Sequence, residues 1–292
     1  MPAVTTPEPE PESELWSTTL GEPPDPNSLG GPPAQSDSDG GDWVGKVLAF
    51  LLFALAFGGV RVWNHYNSQQ ERSWDRQDTI EILMESDQRE FFEMLQTEFP
   101  SDFDAVVSAI HSSVSDPSVS DQEAFEAGFN ATRDFTLRNA GYVFLASEDH
   151  LDALISRTVE MLEVTKTSNP EVCAAFASGQ APTAFESGGP LEEFQDLSTL
   201  TVNAIVSGKK NPTQRAVAAE DEWIEILELI MTRIEPSTAT ELESVEDPLQ
   251  MSTGALCDFG LKTIRVIDAM PKEKAAYWYA NMYRDTAEML DQ

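Results

Sequence analysis

Histidine and cysteine are nearly missing from this chain: 292 residues hold three of the first (His65, His111, His150) and two of the second (Cys173, Cys257). Two cysteines exclude a Cys-rich zinc module and a disulfide-dense small scaffold, and leave room for one bridge at most. Cations are scarce too, 18 Lys and Arg against 51 Asp and Glu, for a formal net charge of -33. Such a chain repels phosphate backbones, because nucleic-acid binding needs cations to displace condensed counterions. No nucleic-acid partner is expected. Basic peptides, cations or basic protein surfaces are the more plausible partners, beside the plainer reading that the acidity only keeps the protein soluble.

Several sequence signatures of catalysis are missing as well. There is no G-x-x-x-x-G-K-[ST], no G-x-S-x-G, no H-E-x-x-H and no G-x-G-x-x-G; "SGKKNP" at 207–212 lacks both the earlier glycine and the following hydroxyl of a phosphate loop. The densest group of titratable side chains, "SEDHLD" at 147–152, reads as a helix start, with Ser147 at the cap and acids favoured by the helix dipole. "EDEW" at 220–223 reads as a solvated helix face. Asn130-Ala131-Thr132 matches a glycosylation acceptor, a pattern common by chance. No catalytic residue, metal ligand or cofactor is assigned, and a non-enzymatic role is expected.

What is present is sharply partitioned. Residues 1–42 hold nine of the eighteen prolines, nine acids and no Lys or Arg. Such a segment buries too little apolar surface to offset its ordering entropy, so a disordered tail is expected. Trp16 and Leu20, in "SELWSTTL", are its apolar exception and a candidate docking motif. "SDSDGGD" at 36–42 is not a calcium loop: counted from Asp37, the sixth and twelfth places hold Asp42 and Leu48 rather than Gly and Glu.

Residues 43–63 read "WVGKVLAFLLFALAFGGVRVW". The uncharged run from Val47 to Val60 is fourteen residues, short for a membrane span by itself. Its flanks extend it. Lys46 and Arg61 carry long stems that can lift their charges to the interface, and Trp43 and Trp63 favour the headgroup level. The 21 residues between the tryptophans make about 31 Å of helix, matching a hydrocarbon core of about 30 Å. A signal peptide is disfavoured by the 42-residue acidic lead, despite "ALA" at 54–56, and a buried helix by the polar sequence on both sides. A single transmembrane helix in a lipid bilayer is therefore expected. Gly45, Ala49, Ala54 and Gly58 recur at the spacing of close helix approach, which would allow a homodimer. Orientation is finely balanced. Arg61, Arg72 and Arg76 favour a cytoplasmic C-terminal side, but long domains translocate largely regardless of charge, and exporting this domain is the more usual route than exporting a 42-residue acidic tail. The balance leans to an extracytoplasmic domain.

After a polar linker at 64–76, residues 77–292 show helical rather than alternating apolar spacing, so an all-α domain of eight or nine helices is expected. Leu151, Leu154, Ile155, Thr158 and Leu162 form one such series; Trp223, Leu227, Ile230 and Ile234 another. Pro100 is read as ending one long helix with Ser101 capping the next, "SDQE" at 120–123 as a capping box, and Asn169-Pro170 and Asn211-Pro212 as helix starts. The Gly- and Pro-rich stretch 178–190 is a candidate internal boundary. Cys173 and Cys257 fall on either side of it; they are either a bridge joining the two halves or two small buried hydrophobes. The functional expectation is a membrane-anchored helical module that binds another protein. The alternative is a membrane-tethered sensor or carrier for a small molecule or cation.

Overall fold

The computed structural model describes residues 75–180 and 191–290, apart from positions 87, 117 and 246. The expected span at 43–63, with Trp43, Lys46, Arg61, Trp63 and the small residues Gly45, Ala49, Ala54 and Gly58, lies outside these residues, as do Trp16 and Leu20 of the tail. Among the described residues every regular element is a helix, there is no strand, and no helix is long and apolar enough to cross a membrane.

Twelve α-helices follow in order: α1 (Arg76–Glu85), α2 (Arg89–Glu98), α3 (Pro100–Ser115), α4 (Asp121–Arg138), α5 (Ala140–Phe144), α6 (Glu148–Ser168), α7 (Pro170–Ala177), α8 (Leu191–Lys210), α9 (Glu220–Met231), α10 (Pro236–Ser244), α11 (Thr253–Asp268) and α12 (Lys272–Leu290), with a 3₁₀ turn at Pro248–Gln250 before α11. Helix α6 lies at the centre, with α7, α8, α11 and α12 all packed on it. Its buried residues include Leu151, Leu154, Ile155, Met161 and Leu162, the aliphatic series read from the sequence extended by Met161. Helices α1 to α3 pack on one another, α4 packs on α3, and α8 links this group to the centre through α2. Phe91, Phe92, Phe99, Phe103, Phe129 and Phe135 are all buried there. Phe99 and Phe135 meet edge to face at 5.3 Å between ring centroids, a favoured aromatic geometry.

The helix starts have identifiable causes. Asp75 accepts from the N–H groups of Gln77 at 2.7 Å and Asp78 at 3.0 Å, satisfying donors that have no partner inside the helix. Ser120 and Glu123 form the reciprocal capping box of α4. Asn169 accepts from Val172 N–H at 3.2 Å, and Pro170, which lacks an N–H, occupies the first position of α7.

Three local readings are corrected. The segment ahead of Pro100 is two helices rather than one, because the chain turns at Ser86, whose hydroxyl donates to the Leu83 carbonyl at 2.7 Å and accepts from Gln88 N–H at 3.2 Å. This split, the short helices α5 and α10, and α8, for none of which a start is read from the sequence, bring the number among the described residues to twelve rather than eight or nine. Helix α3 begins at Pro100 itself, with Phe99 at its cap and no part for Ser101. Asn211-Pro212 opens no helix. Residues 212–219 carry no regular structure and lie as a strap against α5 and α12: Thr213 N–H donates to the Leu145 carbonyl at 2.7 Å, Arg215 Nη1 to the Phe144 carbonyl at 2.8 Å, and Ala218 N–H to Asn281 Oδ1 at 2.8 Å. The Thr213 and Ala218 bonds take up backbone N–H groups that a helix would otherwise use.

One contact sets how closely α8 meets α5. A Cβ built on Gly208 would stand 1.8 Å from the Tyr142 carbonyl oxygen, a backbone atom that cannot swing aside. Gly208→Ala should therefore destabilise the domain by about 1–3 kcal/mol, a fall in Tm on the order of 5 °C. Gly141→Ala and Gly254→Ala, where an added Cβ meets nothing within 4 Å, should show no such loss. Thermal melts of the three variants by circular dichroism check this; equal Tm values would mean that α8 is not seated on α5.

Candidate functional site

The two cysteines come together because α7 and α11 pack on each other and both pack on α6. Cys173 and Cys257 form a disulfide with Cα atoms 5.3 Å apart, closing a sequence separation of 84. Both are buried, at 0% and 1% exposure. The next residue, Asp258, is a buried carboxylate that ties three elements together. Its Oδ1 accepts from Lys166 Nζ of α6 at 2.7 Å, and its Oδ2 from Glu235 N–H at 3.2 Å and the Thr238 hydroxyl at 3.3 Å. Glu235 is the cap position of α10 and makes no side-chain cap of its own, so Asp258 supplies from α11 the acceptor that helix start lacks. Burial would push the Asp258 carboxyl up, but the Lys166 hydrogen bond, the Glu235 N–H and the charges of Lys166 and Lys262 together hold it below the usual carboxylate range.

Most cations among the described residues are engaged with acids, many of them on other helices. Arg76 pairs with Asp104 at 2.6 Å, Arg138 with Asp102 at 2.7 Å, Arg157 with Asp196, Lys210 with Glu98, Arg265 with Glu163, and Lys272 with Asp149 and Asp152. This pairing leaves much of the acid excess on the surface without compensation, and it is densest on α9. Between Arg215 and Lys262 the only Lys or Arg is Arg233.

Helix α9 has two distinct sides. Trp223, Ile226, Leu227 and Ile230 are buried, and Trp223 meets Trp278 of α12 at 5.0 Å between ring centroids. At the start of the helix Glu222 faces inward, accepting from Ala219 N–H and from the Tyr277 hydroxyl, both at 2.9 Å. Those two bonds, the backbone one first, lower the Glu222 carboxyl. Burial and the bond to Glu222 push the Tyr277 hydroxyl up to about 12. On the outer side Asp221, Glu225, Glu228 and Thr232 are exposed and fall in line, since positions four, seven and eleven apart share one helix face. Ile224, 45% exposed, stands on one shoulder of this line, and Leu229, 39% exposed, on the other. Only two other large hydrophobic residues among those described are as exposed: Val217, just ahead of α9, and Val164 on α6.

Of the residues singled out from the sequence, the structure brings Cys173 and Cys257 together. The remaining site residues named from the sequence, in the tail and the expected span, are outside the described region, and so are residues 181–190 of the stretch read as an internal boundary. The "SEDHLD" group disperses rather than converging. Ser147 is the cap residue of α6, as read from the sequence, but its hydroxyl lies 2.7 Å from His150 Nδ1 and makes no cap bond, and Asp149 and Asp152 turn to Lys272. Among the described residues no group of three His, Cys, Asp or Glu side chains is arranged to hold a metal ion. The acceptor pattern at Asn130 lies inside α4, and its Thr132 is buried with its hydroxyl donating to the Gly128 carbonyl at 3.2 Å, a geometry that gives no loop for modification. Asp258 and the shoulders of α9 were not picked out from sequence. An acid set directly among the apolar residues Leu256, Cys257, Phe259 and Leu261 was the available signal for the first. No family model, no curated protein and no solved structure matches this chain.

Two outcomes are expected. Replacing both cysteines by alanine should cost about 4–5 kcal/mol of stability on the chain-entropy account of an 84-residue separation, read as a lower denaturation midpoint; native protein should resist mild reductant, because neither sulfur is accessible. For Asp258 the folded carboxyl lies below its unfolded value, so its contribution is full above about pH 4 and is lost as pH falls through the folded value. Asp258→Asn should lower Tm at pH 7, and the difference from the parent should shrink below about pH 4. A difference that stays constant across pH would assign Asp258 a purely steric role.

Proposed function

We propose that this chain is a single-pass membrane protein whose helical domain, tethered by residues 43–63, binds another protein and performs no catalysis. The observation that supports this most directly is the outer side of α9, where aliphatic side chains remain in solvent beside carboxylates that have no cation within ion-pair distance among the described residues. Single exposed aliphatic side chains are ordinary on a protein surface; beside a line of uncompensated carboxylates they give a helix face that a partner of opposite charge can cover. The inner side of the same helix is held by Trp223 and Ile230 against the core, so the outer side is presented on a rigid support.

The disulfide bears on location. Such bridges form and persist in oxidising compartments and are rare where thiols are kept reduced. The Cys173–Cys257 bond therefore favours a domain on the extracytoplasmic side of the membrane, with residues 1–42 on the cytoplasmic side.

Two measurements on the full-length chain in intact cells test this reading. A membrane-impermeant maleimide should label Glu225→Cys without lysis; labelling only after lysis would reverse the orientation. A photo-crosslinking residue placed at Ile224 or Leu229 should give a discrete adduct that the same residue at Val164 does not give. Its absence at both α9 positions would overturn the interaction reading.

A further inference from the structure

Resting on the reading of α9 as an interaction surface, we propose that its outer face takes a basic amphipathic helix of a partner protein, whose Lys or Arg side chains meet Asp221, Glu225 and Glu228 while apolar residues beside them cover Ile224 and Leu229. The face is described above: three exposed carboxylates in one line over two turns, with a half-exposed aliphatic side chain on each shoulder.

Charge selects this occupant. Asp221, Glu225 and Glu228 have no Lys or Arg within ion-pair distance among the described residues. The surrounding sequence offers only Arg233, one turn beyond the line of acids. A second copy of this chain would set carboxylates against carboxylates, which costs binding energy rather than adding to it. Anionic lipid headgroups and nucleic-acid phosphates are repelled for the same reason. A metal ion does not suit the geometry. Seven residues of helix separate the outermost two carboxylates by about 10 Å along the axis, so the three cannot converge on one cation.

Spacing selects a helix. Cations at positions i, i+4 and i+7 of a partner helix repeat along its axis at the same rise as the acids of α9, so all three pairs stay in register over two turns. Two helices crossing at a shallow angle also bring their shoulders together, which places partner aliphatic side chains over Ile224 and Leu229. Arg233 marks the end of the footprint, because it repels a fourth cation one turn further on.

The test uses the full-length chain in detergent micelles of neutral surfactant and a labelled synthetic helix about 18 residues long, with lysines on one stripe and leucines beside it. Fluorescence anisotropy should show saturable binding that weakens steeply with salt. The triple substitution Asp221→Asn, Glu225→Gln and Glu228→Gln should weaken it roughly tenfold, as three exposed ion pairs of modest strength would. Ile224→Ser with Leu229→Ser should weaken it as well, because the shoulders would no longer bury apolar area. All these positions are exposed, so the variants should keep the parent's thermal melt. Reversing the three acids to lysine should transfer binding to a peptide with glutamates on its stripe. Equal binding by a peptide of the same composition with its stripe scrambled would overturn the proposal, as would binding indifferent to the triple substitution. If crosslinks from Ile224 and Leu229 persist in cells carrying the triple substitution, the surface binds a partner and its proposed chemistry is wrong; if neither position crosslinks in the parent, the interaction reading itself fails.

Discussion

Burial of α6 is the constraint on which much of the structure depends. Leu151, Leu154, Ile155, Thr158, Met161, Leu162 and Thr165 are all buried, more than a single narrow stripe would hide, so neighbours must cover this helix from several directions. Helices α7, α8, α11 and α12 do so. Because α7 and α11 seek the same surface, they are forced against each other, and Cys173 and Cys257 meet there. The disulfide therefore fastens a contact that apolar packing has already made, and its contribution falls largely on the unfolded chain by closing a long loop. Asp258 adds a second tie at the same place, joining α6, α11 and the start of α10 through one buried carboxylate.

The scarcity of cations has a structural consequence. With few Lys and Arg available, those among the described residues lie mostly where they join acids of neighbouring helices, as Arg138 does with Asp102 and Lys272 with Asp149. Exposed pairs of this kind contribute little individually. Their collective effect is to place positive charge between helices and leave negative charge facing solvent. Repulsion among the remaining acids opposes compaction, which makes the disulfide and the tight α5–α8 contact at Gly208 more consequential than they would be in a neutral domain. The outer side of α9 is where this imbalance is most concentrated and where aliphatic side chains accompany it.

The helical character of the described region was legible in the sequence, because a 3.6-residue apolar rhythm depends only on which side chains must leave water. Leu151 to Leu162 and Trp223 to Ile234 are buried as that rhythm requires. Caps that act within three residues, Ser120 with Glu123 and Asn169 before Pro170, were equally legible. Asn211-Pro212 has the same local signature and opens no helix, because the backbone of 212–219 finds its partners in Leu145 and Asn281. The site was less legible than the fold. The acids of α9 were visible as a run, but nothing in their spacing showed that Ile224 and Leu229 stay in solvent on either side of them.

The sequence by itself determined the class of structure, the acidic balance, the partition into a Pro-rich lead, an apolar stretch and a helical remainder, and the restriction of any bridge to Cys173 and Cys257. Each of these follows from composition or from interactions between residues a few positions apart. Only the tertiary structure decided that the two cysteines meet, that Asp258 is buried and shared by three elements, that "SEDHLD" disperses among separate partners, and which side of α9 faces water. Those outcomes depend on contacts between segments many tens of residues apart, such as the 92 positions from Lys166 to Asp258. The free energy of such contacts comes from packing the whole set of helices around α6, which no local pattern encodes.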